Sequence, residues 1–221
     1  MIAEEIRLLH KELEGTGAQL VAVSKFHPVE ALREAYDAGQ RIFGESRAQE
    51  LLQKIPAMPE DVKWHFIGHL QTNKVRSLMG RTALIESVDS EHLLNMIDRE
   101  SERAGVVTRV LMQLHVAREE TKTGFAPEEL LDYFSRRSFE QLRATHICGV
   151  MGMASNTDDR ARVSDDFRRI RATFDRIREI CPDLRGFDTV SMGMSGDWKL
   201  ALEQGSTLVR IGTRIFGARQ Y

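Results

Sequence analysis

Apolar residues recur along this chain with two alternating periods, and the alternation marks out the elements. Ile2, Ile6, Leu9 and Leu13 fall on one face of a helix, which Gly15 and Gly17 end. Residues 20–24 are instead a continuous apolar run of strand length. The run lacks polar alternation, as a parallel strand buried on both faces should. Pro28 suits the first turn of a helix over residues 29–38, closed by Gly39, and residues 41–43 form a second strand ending at Gly44-Glu45-Ser46. A helix over residues 47–55 is broken by Pro56 and Pro59, and residues 64–67 give strand three, ending at Gly68-His69. Residues 72–79 read as its helix and residues 83–88 as strand four, with Asp89 or Ser90 capping a helix through Arg103. Residues 107–116 are strand five, followed by the polar loop 117–125, which carries Lys122, and by a helix over residues 127–134. Strand six covers residues 147–151 and ends at Gly152-Met153-Ala154-Ser155. Asn156 or Thr157 is expected to cap the most regular helix, in which Val163, Phe167, Ile170, Phe174 and Ile177 keep a 4-3-4-3 spacing.

The last two strands are short. Thr189 and Val190 lead into Ser191-Met192-Gly193-Met194-Ser195-Gly196-Asp197, and residues 207–211 lead into Gly212-Thr213. A helix-like segment over residues 197–204, closed by Gly205, lies between them. Both strand ends combine glycine with hydroxyl side chains. Glycine lets backbone N–H groups approach an anion closely, and Ser and Thr add donors. Either loop alone reads as an ordinary βα turn. Together they put a phosphate site on an equal footing with that plainer reading.

Eight strands alternating with helices permit a doubly wound sheet or a closed barrel. Paired glycine-hydroxyl loops after strands seven and eight favour a single (β/α)8 barrel, in which phosphate sites fall at that place. With 221 residues, the chain has room for one such domain over 1–221 with short loops and no second domain.

Charge and composition exclude several partners. A net charge of −2 removes any general electrostatic case for nucleic acid. No apolar stretch is long enough for a bilayer, and the amphipathic, acidic first 15 residues lack the apolar core of a signal peptide. The two cysteines, Cys148 and Cys181, suggest no disulfide framework, so a cytoplasmic location is expected.

Chemistry narrows to a few residues. Lys25 ends strand one, on the barrel face where active sites lie, and could act there as an amine nucleophile toward a carbonyl. Position alone fits a solvated lysine as well. Arg210 is internal to strand eight, and a charge in a buried strand needs a partner. Strands one and eight are neighbours in a barrel, so Lys25, Arg210 and both loops should converge. Amine, guanidinium and phosphate cradle suit a phosphorylated aldehyde, of which pyridoxal 5′-phosphate is the obvious one. His65 and His69 lack a third ligand at useful spacing, so no metal site is expected. Met153, Met192 and Met194 sit at strand ends and could pack against a ring.

The stretches AVSKFHP, AGQRIFGESRAQE, WHFIGHLQTNK, KTGF, GVMGMAS, SMGMSGDW and STLVRIGTRIFGAR carry a resemblance over residues 20–219. In them the chain closely resembles the single-domain pyridoxal phosphate homeostasis proteins, the YggS/PROSC family. The resemblance implies a barrel like the N-terminal domain of alanine racemase, fold type III among pyridoxal phosphate proteins. It implies Lys25 as the Schiff-base lysine, phosphate contacts from Ser191, Ser195, Gly212 and Thr213, and Arg210 facing the pyridine nitrogen. It further implies storage or delivery of the cofactor rather than catalysis, with cofactor-dependent apo-enzymes as acceptors, and a monomer or weak dimer. Two departures stand out: Ser46 where relatives commonly have Asn, and His27 where many have Lys. Two other readings remain: an amino-acid racemase lacking its second domain, and a Schiff-base aldolase acting on a phosphorylated sugar. A racemase needs a second acid/base on the opposite face of its substrate. Tyr36 and Tyr133 fall within predicted helices and Tyr221 is terminal, so none is an obvious candidate.

Overall fold

Eight strands close into a barrel in the computed structural model, which describes residues 1–118 and 123–217. They are β1 (Gln19–Val23), β2 (Ile42–Glu45), β3 (Lys63–Phe66), β4 (Leu84–Val88), β5 (Thr108–Leu114), β6 (Thr145–Gly152), β7 (Thr189–Ser191) and β8 (Leu208–Ile211). Each pairs in parallel with its sequence neighbours, and the ring closes where β1 meets β8, with Val21 opposite Arg210 and Ala22 opposite Ile211. Helix α1 (Ile2–Leu13) precedes the barrel. Around it lie α2 (Val29–Asp37), α3 (Ala48–Lys54), α4 (Val75–Leu78), α5 (Glu91–Ala104), α6 (Pro127–Ser135), α7 (Arg160–Ile180), α8 (Trp198–Glu203) and α9 (Thr213–Phe216). This is the (β/α)8 architecture that the alternating periods predict.

Period two in the strands divides two cores. Leu20, Ala22, Trp64, Phe66, Val209 and Ile211 turn outward into the large core between strands and helices. Val21, Leu84, Leu111, Cys148, Met151 and Leu208 fill the barrel itself. Both strand faces are buried, which is why these segments read as unbroken apolar runs. His65, Glu86, Ser191 and Arg210 occupy inward positions between outward-packed neighbours, so the barrel interior contains a buried polar group.

Local chemistry sets the helix ends. Ser90 caps α5, its Oγ accepting the Leu93 N–H at 3.2 Å. The cap of α7 is Asp159 rather than Asn156 or Thr157. Its carboxylate accepts the N–H groups of Ala161 and Arg162 at 3.0 and 3.2 Å, while Thr157 Oγ1 accepts the Asp159 N–H and shapes the turn before it. Helix α3 stops at Lys54 and tightens into a 3₁₀ turn over Ile55–Ala57, because Pro56 cannot supply a helical N–H. Another 3₁₀ turn, Thr72–Lys74, opens the segment read as the helix after strand three, and a third, Ser138–Gln141, has no counterpart in the predicted elements. It follows Arg137, which takes a left-handed conformation and is held by Glu140 and Asp183. Among the described residues no helix is long and apolar enough to cross a membrane.

Candidate functional site

At the C-terminal mouth of the barrel lies a cavity of about 350 Å³. Lys25, His27 and Arg210 supply its basic groups, and Ser195, Gly212 and Thr213 its small donors. Val23, Ile67, Met153 and Met194 give apolar walls, with Ser46 at one side. Among the described lining residues there is no carboxylate, so an anion entering here meets the basic side chains of Lys25, His27 and Arg210. Met192, by contrast, is wholly buried in the outer core and does not line the cavity.

Each lining group is placed by its strand end. Lys25 directly follows β1, and Ser195 and Gly196 lie in the loop between β7 and α8. That loop lies against α8 because Gly193 has φ +96 and no side chain: a Cβ there would come within 2.6 Å of the Ala201 Cβ and 2.9 Å of the Trp198 Cα. The Gly212 N–H donates to Ser195 Oγ at 3.3 Å, so the β7 and β8 loops are joined rather than merely adjacent. The His27 ring stacks on Phe216 with centroids 5.0 Å apart, which holds it at the rim.

Arg210 is 5% exposed and is held from below by a polar chain inside the barrel. Its guanidinium donates to Ser191 Oγ and, at 3.0 Å, to the Gly152 carbonyl. Ser191 Oγ in turn donates to Glu86 Oε2 at 2.5 Å. Glu86 Oε1 accepts from His65 Nδ1 at 2.7 Å, and the Arg210–Glu86 charges lie 3.7 Å apart. Burial by itself would raise the Glu86 pKa. The hydrogen bond and charge of His65, the charge of Arg210 and the Ser191 hydroxyl outweigh it and hold the carboxyl below its ordinary range. Burial pulls the Arg210 guanidinium down, against the charges of Glu86 and Asp197.

This carboxylate supports a prediction. A folded value below the unfolded one means that its contribution to stability is complete above the unfolded pKa, about 4.3 for glutamate, and is lost as pH falls through the folded value. Glu86→Gln should therefore flatten the loss of melting temperature below about pH 4 relative to wild type. Parallel curves for the two proteins would show that Glu86 titrates alike in both states.

Of the six residues expected at the site, five line the cavity: Lys25, Ser195, Arg210, Gly212 and Thr213. Ser191 does not. It is fully buried as the last residue of β7, and its hydroxyl proton is already given to Glu86. His65 and His69 turn to different carboxylates, His65 to Glu86 and His69 to Asp89 at 3.1 Å. Among the described residues no three His, Cys, Asp or Glu side chains gather as a metal would need. Lys122 and Tyr221 lie outside the described residues. Sequence alone does not single out Glu86, the bond His65 makes to it, or the group formed by buried Lys54 and Glu45 with Glu50 around the turn of Lys25.

An amine, a guanidinium and two joined glycine-hydroxyl loops at the C-terminal mouth give this (β/α)8 barrel a site of the chemistry that suits an anion. The family model for the N-terminal domain of alanine racemase matches residues 1–220. A pyridoxal phosphate homeostasis protein of Aquifex aeolicus is 40% identical over 206 residues, covering 92% of this chain and 88% of that protein. The structure of PipY from Synechococcus elongatus PCC7942 with pyridoxal phosphate bound superposes with a TM-score of 0.88 at 36% identity, covering 98% of this chain and 100% of that one. Alanine racemase from Corynebacterium glutamicum shares the fold, with a TM-score of 0.78 at 16% identity over 61% of its own chain. The chain belongs to the pyridoxal phosphate homeostasis protein family.

Proposed function

We propose that this protein binds pyridoxal 5′-phosphate and serves in its storage and delivery in the cytoplasm, with cofactor-dependent apo-enzymes as acceptors. The observation that carries the reading is the gathering of Lys25, Arg210 and both loops on one cavity whose described lining residues include no carboxylate. The donor set fits the cofactor: hydroxyls and backbone N–H groups for a phosphate, an amine for an aldehyde, and methionine and isoleucine walls for a flat ring. The bound cofactor would supply an aldehyde carbon that condenses with Lys25 Nζ to a Schiff base, one C=N bond forming as water leaves. Ser195, Gly212 and Thr213 hold the phosphate. Ser191 we place beneath the cradle, where it supports Arg210 instead of touching the ligand.

Arg210 decides the chemical temperament of the site. A guanidinium can only donate, so it holds no proton acceptor toward the ring nitrogen and disfavours its protonation. That weakens the electron sink which carbanion chemistry on this cofactor requires. Tyr36 and Tyr133 supply no opposite-face acid/base: the Tyr36 hydroxyl donates to Asp61 at 2.6 Å, and Tyr133 is buried in the outer core. Both facts favour a carrier over a racemase. The cofactor-based reading leaves the sugar aldolase without an advantage, since the apolar walls offer a sugar few hydroxyl partners.

Loading the protein, removing free ligand and adding an apo-enzyme tests the reading: recovery of the acceptor's activity is expected, and a protein that never retains the cofactor would refute it. Thr213→Ala should weaken binding by about 1.5–3 kcal/mol, the range for hydrogen bonds to charged groups. Pyridoxal without phosphate should bind far more weakly than its phosphate ester. Equal affinities by fluorescence titration would remove the cradle from the site.

A further inference from the structure

Behind the turn that carries Lys25 lies a buried ion group with no part in the ligand contacts described so far. Lys54, 6% exposed at the end of α3, donates to Glu45 Oε1 at 2.8 Å, to Glu50 Oε1 at 2.7 Å and to the Ser24 carbonyl at 2.9 Å. An ammonium has three protons, and these three acceptors use them all. Glu50 Oε1 also accepts the Phe26 N–H at 2.6 Å, and Glu45 Oε1 also accepts the Ser24 hydroxyl at 2.6 Å. Burial pushes the Glu45 carboxyl up, against the pull of Lys54 and Ser24.

The residues touched are those on either side of Lys25. Phe26 has φ +68, a left-handed conformation that strains a bulky non-glycine residue and persists only where surroundings impose it. Here the Ser24 carbonyl is fixed by Lys54 and by the His27 N–H at 3.1 Å, and the Phe26 amide is fixed by Glu50. One ammonium thus ties down the backbone both before and after Lys25.

We infer that Lys54 is a positioning residue for Lys25: with Glu50 it imposes the strained turn that aims the Lys25 amine into the cavity. The inference rests on Lys25 being the attachment point. It also accounts for the choice between two neighbouring lysines, because the protons of Lys54 are engaged by three acceptors and Lys54 is not among the residues lining the cavity. Its role is exerted through the backbone, without contact to the ligand.

Two ligands separate aim from affinity. Pyridoxine 5′-phosphate has the phosphate and ring but no aldehyde, so it reads the cradle alone. Pyridoxal 5′-phosphate with stopped-flow absorbance and borohydride trapping reads capture by Lys25. In Lys54→Met, affinity for pyridoxine 5′-phosphate should stay within about threefold, while the capture rate falls about tenfold or more, as expected when a reacting group loses its orientation. Lys54→Arg should restore part of the rate, since a guanidinium can still reach several acceptors. Glu50→Ala serves as a second variant that leaves the Lys54–Glu45 pair in place; it should slow capture with the melting temperature little changed. Capture at the wild-type rate in either folded variant would overturn the inference, as would a loss of capture matched by an equal loss of pyridoxine 5′-phosphate affinity. Wild-type protein that binds neither ligand would instead refute the function proposed above.

Discussion

Lys25→Ala is expected to abolish covalent capture of pyridoxal 5′-phosphate while leaving a weaker, phosphate-dependent association. After borohydride reduction and peptide mapping, wild-type label should fall on the peptide containing Lys25, and the variant should show background only. The expectation is close to all-or-none because the cavity has one lysine among its described lining residues. Two other described lysines are placed outside the cavity. Lys54 is enclosed by three acceptors, and Lys74 lies along an adjoining groove with Arg47 and His69. The cradle itself does not contain the amine, so residual binding should track the phosphate and vanish with pyridoxal. Label recovered mainly on Lys74 or Lys122 would overturn the assignment.

Gly149→Ala should be the most damaging single methyl in the barrel. Gly149 lies where β5 and β6 slip register: Val110 pairs with Ile147, but Leu111 pairs with Gly149, leaving Cys148 as the extra residue of a bulge. The backbone there has φ +154, and a Cβ would come within 1.8 Å of the Thr189 carbonyl oxygen, 2.7 Å of its carbon and 2.9 Å of the Thr189 nitrogen. All three atoms are backbone, so no side chain can turn aside. Relief would require β6 and β7 to part, and β7 is only three residues long, held to β6 at Thr189, Val190 and Ser191. Overpacking and backbone strain each cost about 1–3 kcal/mol, and here they coincide, so a loss of about 2–6 kcal/mol is expected. Urea unfolding measures it, and soluble yield gives a first indication. A loss below about 1 kcal/mol would mean that the strand pair can shift without cost, contrary to its packing.

The barrel was legible because its strands are buried on two faces and appear as short, largely apolar runs between helices of period 3.6. Eight such runs also permit a doubly wound sheet, and the paired glycine-hydroxyl loops after the last two strands favoured the closed ring. Helix starts were less legible where the signal was degenerate. The stretch Asn156-Thr157-Asp158-Asp159 consists entirely of cap-forming residue types, and only the packed position of α7 selects Asp159. Within the site, the charge of Arg210 inside an apolar run pointed correctly to a buried partner. The same argument applied to Glu86, in the run Leu84-Ile85-Glu86-Ser87-Val88, would have supplied that partner. Ser191 and Ser195 look alike in sequence, but strand periodicity separates them: the first is the last inward residue of β7, the second lies beyond the strand end. Lys54 was hidden for a different reason. Four residues after Glu50 on a helix, it reads as an ordinary surface ion pair, which it partly is at 2.7 Å. Its burial arises from where the end of α3 meets Ser24 and Glu45 at the ends of β1 and β2, and no periodicity along α3 encodes that.

The seam between β1 and β8 gives the site a second meaning. Lys25 follows one strand and Gly212 and Thr213 follow the other, so a ligand held by all three spans the line along which the ring is closed. Such a ligand acts as a clasp. Bound only by the closed ring, it stabilises that ring by about 2.7 kcal/mol at a hundredfold excess over its Kd. Ligand load and stability of the barrel then become one linked variable: a filled barrel is a fastened hoop, and it should melt at a higher temperature than an empty one.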